Sequence, residues 1–207
     1  MTGSVASLAT SYSTTFPTTQ TFRYWGETDE SVILEFPPHG ANTVLIQAVG
    51  LGGGGGGTTT DIESISQGGG GGAYVEITLP NVSQIEVISM PNNMPLATGG
   101  YSYCGLNADD FSITVQYFNP PGLPPVVFTC GGGHGGNVTP VNCNNGAGGI
   151  GSGGDFTIPG YNGGSPDGGD NGSGLPVFAG YGKGGGGGQI PASGGTGTGW
   201  AVQFTYT

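Results

Sequence analysis

The sequence predicts an all-β protein: an antiparallel, β-sandwich-like arrangement of strands with an inserted bundle of polyglycine II helices and no α-helix. Three observations lead there. Segments rich in β-branched and aromatic residues recur along the first two-thirds of the chain and again at its end, several alternating apolar with polar residues. No segment carries a helical period. Glycine makes up 48 of 207 residues, concentrated in blocks that stand between the strand-like segments.

Residues 1–26 are rich in Ser and Thr and end in the aromatic cluster Phe22, Tyr24 and Trp25. They are expected to form an anchoring arm, with 27–207 as one β plus glycine-rich domain. The strand-like segments are VILEF at 32–36, NTVLIQAV at 42–49, AYVEITL at 73–79, QIEVISM at 84–90, FSITVQYF at 111–118 and VVFTC at 126–130. In YVEITL, Val75, Ile77 and Leu79 share one face while Glu76 and Thr78 take the other. Proline-rich turns separate them, at FPPHG (36–40), LPNVS (79–83) and the cluster Pro120, Pro121, Pro124 and Pro125. From 131 to 199, 29 of 69 residues are glycine, after which WAVQFTY at 200–206 returns to strong strand sequence. The region 131–199 therefore reads as an insertion held at both ends.

An ordered glycine loses more backbone entropy than any other residue and brings no side chain to pack. Backbone hydrogen bonding and close chain approach are what remain to offset that loss. In the left-handed three-residue helix of polyproline II type, N–H and C=O groups point outward, so glycine helices of this kind can bond to one another. The blocks 52–57, 68–72, 131–136 and 184–188, with the looser 146–154 and 194–199, are long enough for one or two turns each. Flexible linkers are the other reading of the same blocks.

Composition excludes several classes. The chain has a net charge of -11, with Arg23 and Lys183 its only Lys or Arg residues. Phosphate-based binding of nucleic acid and polybasic membrane anchoring both require clustered cations. No apolar run is long enough to span a bilayer as a helix. Collagen needs glycine at every third residue, which the blocks do not follow. A charged fraction of 7% with 10% aromatics is unlike a disordered chain. Met1 to Gln20 lacks the basic and apolar regions of a signal peptide. Of the three cysteines, Cys104, Cys130 and Cys143, the last two bracket a glycine-rich loop and could pair in an oxidising compartment. Asn81, Asn137 and Asn171 open Asn-x-Ser/Thr triplets, without a secretion signal to give them meaning.

Chemical motifs are scarce. G-x-G-x-x-G matches are inevitable at this glycine density, and none lies in a strand–turn–helix unit. Lys183 in GYGKGGGGG lacks the upstream glycine and following Ser/Thr of a phosphate loop. His39 and His134 are isolated from each other and from any cysteine pair of metal spacing, and His134 reads as a spacer between glycine helices. Asp109 and Asp110 sit beside a strand. Asp167 and Asp170 lie in Asx-rich turn sequence that lacks the register and terminal Glu of a calcium loop. No catalytic residue, metal site or cofactor is expected. More suggestive are apolar islands among the later glycines: DFTIPGYN at 155–162, LPVFAGYGK at 175–183, QIPA at 189–192 and NVTPVNCNN at 137–145. Their large residues, Phe156, Ile158, Tyr161, Val177, Phe178 and Tyr181, either fold back to cap the bundle or stand exposed as a binding surface, where aromatics supply contact area at low entropy cost.

The run FPPHGANTVLIQAVGLGGGGGG at 36–57 resembles the opening of the glycine-rich domain of phage tail proteins, where a proline turn and strand lead into a glycine block. GGGGGAYVEITLP at 68–80 resembles the second block and returning strand of that domain. GKGGGGGQIPASGGTGTGWAVQFTYT at 182–207 resembles its closing block and terminal strand. The resemblance covers 32–207. It implies a virion receptor-binding protein without enzymatic activity, similar to the polyglycine-helix adhesins of tail fibres. Loops at the distal end of the bundle would contact a host cell-surface protein or glycan; carried over by position, these are the apolar islands. Residues 1–26 would dock onto other virion proteins, and a homotrimer would follow the habit of fibre proteins. Such a protein is made in the host cytoplasm and acts extracellularly on the virion. The long strand-rich N-terminal half departs from the tip adhesins. It fits a non-adhesive virion component as well: a capsid decoration, head fibre or connector.

Overall fold

The structure is a computed structural model and describes residues 20–25, 33–34, 41–58, 66–90, 94–100, 103–117, 124–138, 146–164, 167–188 and 193–207. Among these there is no α-helix, and nine strands form two antiparallel sheets. They are β1 (Gln20–Trp25), β2 (Ile33–Leu34), β3 (Thr43–Val49), β4 (Tyr74–Pro80), β5 (Ile85–Ser89), β6 (Phe111–Tyr117), β7 (Val126–Cys130), β8 (Phe156–Ile158) and β9 (Ala201–Tyr206). The first sheet has the order β1-β9-β3-β4-β8 and the second β2-β5-β6-β7.

Alternation along the strands does what the sequence suggests. Val44, Ile46 and Ala48 of β3, Val75, Ile77 and Leu79 of β4, and Val202, Phe204 and Tyr206 of β9 point to one side. There they share a core with Ile85, Ile88, Phe111, Ile113, Val115 and Phe128 of the second sheet. Each such fully buried side chain contributes about 1.5–3 kcal/mol by leaving water. Trp200, just ahead of β9, closes this core against Phe111, with ring centroids 5.5 Å apart.

Two elements differ from the expectation. Gln20–Trp25 is the edge strand of the first sheet, in continuous register with β9 (Phe22 opposite Phe204, Tyr24 opposite Val202, Trp25 opposite Ala201). Within the island at 155–162, Phe156–Ile158 is a strand paired to Tyr74–Glu76. Cys130 is a free, buried thiol, so the pairing of Cys130 with Cys143 does not form; Cys104 is the cysteine held in a disulfide.

The strands run directly into glycine-rich segments. We number those among the described residues s1 (50–57), s2 (67–73), s3 (97–100), s4 (103–108), s5 (131–137), s6 (146–149), s7 (160–164), s8 (167–170), s9 (182–188) and s10 (194–199). Their backbones bond to one another with a repeat of three. In s1, the N–H groups of Gly50, Gly53 and Gly56 donate to s2, those of Gly52 and Gly55 to s10, and those of Gly54 and Gly57 to s4. Carbonyls of s1 accept from s3, s5 and s9, through Gly100, Gly133, Gly136, Gly185 and Gly188. Segment s1 is thus bonded to six neighbours. So is s2, which donates to s5, s7 and s9 and accepts from s1, s6 and s8. Bonds between successive outer segments complete the pattern, in rows of three, four and three: s10–s9–s8, s3–s1–s2–s7 and s4–s5–s6.

Close approach explains the glycines at the centre. A Cβ at Gly70 would lie less than 3.0 Å from the carbonyl oxygen of Ala147 in s6, and one at Gly55 equally close to that of Gly186 in s9. Outer segments face solvent, and there side chains satisfy backbone donors. Asp110 accepts from the N–H of Gly132 (2.8 Å), Asn107 from that of Gly135 (2.8 Å) and Asn162 from that of Gly148 (3.0 Å).

Candidate functional site

Sequence and topology give the molecule two ends. Segments s1, s5 and s7 leave the sheets directly after β3, β7 and β8, while s2 and s10 return into β4 and β9. Away from the sheets, s1 and s2, s3 and s4, s5 and s6, s7 and s8, and s9 and s10 end in pairs, and the residues that link them (59–65, 101–102, 139–145, 165–166 and 189–192) lie outside the described residues. At the opposite end, Gln20 pairs with Tyr206, and Thr207 accepts from the N–H groups of Asn42 and Thr43. Of the apolar islands, QIPA at 189–192 and residues 139–145 lie outside the described residues.

The islands 155–162 and 175–183 sit at the sheet end. The outer face of the first sheet carries two rows of side chains. Nearest the glycine segments, Val49, Tyr74 and Ala201 form a second apolar cluster with Phe178, and Ile158, Val177 and Tyr181 pack onto it. Phe178 is 1% exposed, its ring 6.1 Å from that of Tyr74. Pro176 starts a 3-10 turn that delivers it, and Asn171 holds the strap by donating its amide to the carbonyls of Phe178 (3.1 Å) and Tyr181 (2.6 Å). Four of the six large island residues are therefore used in packing. Phe156 (52%) and Tyr161 (62%) remain exposed. Phe156 stands at the sheet edge, edge-on to Tyr74 at 6.4 Å.

One row further out runs a polar ladder across three strands, with Gln203, Gln47 and Glu76 in register. Gln203 donates to the Gln47 side-chain oxygen (3.0 Å). The Gln47 amide donates to Glu76 Oε2 (2.9 Å) and to the Tyr74 hydroxyl (2.9 Å), and that hydroxyl donates to Glu76 Oε2 (2.5 Å). Burial, and then the hydrogen bond to Glu76, push the Tyr74 phenol far above its ordinary value. A buried amide and phenol are tolerated because every member has a partner. The ladder also fixes register, since a one-residue slip would turn it into the core.

The remaining sequence-picked groups are dispersed. His134 is exposed on s5, its backbone bonded to Gly70 and Ala147. Asp170 pairs with Lys183 at 3.3 Å on the surface, where such a contact contributes little. Among the described residues, no three His, Cys, Asp or Glu side chains converge as a metal site. His39, and the side chains of Phe22, Tyr24 and Trp25, lie outside what is described.

Other exposed apolar residues escape a search for apolar islands: Tyr103 (60%), Leu106 (55%) and Ile150 (79%). Tyr103 and Leu106 are three residues apart on s4, so the three-residue bonding repeat turns both the same way. A spacing of three within glycine-rich sequence is the signal that would have found them. No protein-family model matches the chain, and a search of curated proteins returns no match.

Proposed function

We propose that this chain is a viral adhesin, a phage receptor-binding protein of a tail fibre or other virion appendage. Its ten glycine-rich segments are read as polyglycine II helices standing on an antiparallel β-sandwich. The observation that carries the reading is the bonding pattern: donors rotate among three neighbours with a repeat of three, as a three-residue helix requires. Such a body is rigid without large side chains, and its glycine segments extend away from the sheets at one end. The opposite end holds the start of β1, where residues 1–26 would join other virion proteins.

Further support comes from Cys104, whose disulfide suits a protein that works outside a reducing cytosol. Affinity would come from aromatic and polar contacts with a host cell-surface protein or glycan, since a net charge of -11 with two Lys/Arg side chains offers no cationic steering. Phe156 and Tyr161 are the residues of the apolar islands available for it. The alternative, a non-adhesive capsid decoration, head fibre or connector, is favoured by one fact: Ile158, Val177, Phe178 and Tyr181 serve internal packing.

Adsorption separates the two. Purified protein is expected to bind host cells and to compete with infection, and Phe156→Ser with Tyr161→Ser to weaken binding without loss of fold. Protein that neither binds cells nor competes would leave the non-adhesive reading.

A further inference from the structure

We propose that residues 174–180 form a hinged strap, latched by the Asn171 side chain, whose opening uncovers an apolar site on the outer face of the first sheet. The backbone network marks the strap out. Up to Asp170 the chain is bonded to its neighbours, Asp170 accepting from the N–H of Tyr161, and at Gly182 it is bonded again, to Gly72 and Gly199. Between them the backbone bonds are local: the N–H of Phe178 donates to Leu175, that of Ala179 to Pro176 and that of Tyr181 to Phe178. Among the described residues, no backbone bond ties 171–181 to a strand or a glycine segment. Gly174 (φ 59°) and Gly180 (φ 90°) bound the strap, and a Cβ on either would meet no atom within 4 Å. What calls for glycine at both is the left-handed backbone and not a lack of space, as befits a hinge.

Side chains hold the strap shut. Leu175, Pro176 and Ala179 are exposed, and Phe178 alone among 174–180 is buried, on a floor made by Val49, Tyr74 and Ala201. The Asn171 amide donates to the Phe178 and Tyr181 carbonyls, while its oxygen accepts from the Ser173 N–H (2.9 Å), so the latch stands on the fixed side of the hinge. The floor does not depend on the strap for its shape. Val49, Tyr74 and Ala201 belong to three paired strands, and the Tyr74 hydroxyl is fixed by Gln47 and Glu76. Lifting the strap bares that floor beside Phe156, whose ring already stands exposed and edge-on to Tyr74, and joins them in one apolar surface. Contiguous apolar surface of this kind marks a place where another molecule is engaged. Closed, the strap leaves only the Phe156 ring on offer there. The device stands whether or not the chain is an adhesin.

Labelling of the full chain with a maleimide reagent, read site by site by mass spectrometry, tests it. Val49→Cys puts a thiol beneath the strap, and the native Cys130, buried in the core, reports opening of the whole fold. The introduced thiol should react at least about tenfold faster than Cys130, as local opening at lower cost than global unfolding requires. Asn171→Asp replaces both donors with an oxygen facing two carbonyls, and should speed that reaction by a further factor of about ten with Cys130 unchanged. Gly174→Ala meets no atom but must hold a left-handed backbone while the strap is shut. It should speed the reaction about 5–30-fold. Should Val49→Cys not fold, Ala201→Cys places the thiol on the same floor. An introduced thiol that reacts no faster than Cys130, one indifferent to Asn171→Asp or to Gly174→Ala, or one whose every acceleration is matched at Cys130 would overturn the proposal.

Discussion

Replacing Gly70 by alanine tests the packing of the central segments most directly. Its new Cβ would sit less than 3.0 Å from the Ala147 carbonyl oxygen, and that obstacle is backbone rather than a side chain able to rotate away. Relief requires s2 and s6 to separate, which stretches the bond from Gly149 N–H to Gly71 O, now 2.8 Å. Overpacking of this kind costs about 1–3 kcal/mol. A buried donor left unpaired adds about 1–3 kcal/mol. Loss of glycine's freedom in the unfolded chain offsets about 0.4–1 kcal/mol. The net destabilisation centres near 3 kcal/mol, or roughly 6–12 °C in melting temperature for a chain of this size. Gly164 is the control, since a Cβ there meets nothing nearer than 3.8 Å. Alanine at 164 should be neutral or slightly stabilising. Urea and thermal unfolding of both variants decide the matter. If Gly70→Ala unfolds within about 0.5 kcal/mol of the parent, the scale of an ordinary surface change, the close backbone contact is refuted.

Phe178→Ala should lose about 3–5 kcal/mol, as large buried aromatics do on truncation, whereas Phe156→Ala should change stability little. Equal losses in unfolding curves would contradict the packing of the strap. Tyr74 is held neutral in the fold above its ordinary value of 10.0, so the stability it contributes is complete below that pH and falls as pH rises beyond it. Tyr74→Phe should accordingly flatten the alkaline decline in unfolding midpoint, and an unchanged slope would count against the phenol's burial. Cys130 should resist thiol reagents until the protein is unfolded, because burial raises its thiol pKa and closes off access. Rapid labelling of the native protein at that residue would show otherwise.

The strands of the core are legible in the sequence because alternation survives burial on one face: Val75, Ile77 and Leu79 declare it in six residues. β1 escapes because its partner is the last strand, and nothing local in QTFRYW reports a pairing made across the whole chain. β8 escapes for its brevity. Blocks of glycine mark s1 and s2, which are enclosed on all sides. The rim segments s3, s4, s7 and s8 carry fewer glycines, several of them where they face inward, as at Gly105, whose Cβ would meet the Gly54 carbonyl, and Gly163, which would meet that of Gly68. Outward positions are free to vary, and they dilute the pattern. Phe178 reads as loop sequence, yet Asn171 and the turn at Pro176 bend it back onto the sheet. Nothing in a run of apolar residues distinguishes that from exposure.

Segment s1 carries a consequence for the order of events during synthesis. Its Gly52 bonds to Thr198 and its Gly55 to Gly195, close to the end of the given sequence. A chain emerging from the ribosome can pair β3 with β4 early, but the ring around s1 stays open until s10 has appeared. Contacts made across such separations slow folding. A truncation before 194 would leave the s10-facing donors of s1 unsatisfied and β9 missing from the middle of its sheet. The finished protein is correspondingly hard to open piecemeal, since releasing one central segment breaks bonds to six others at once.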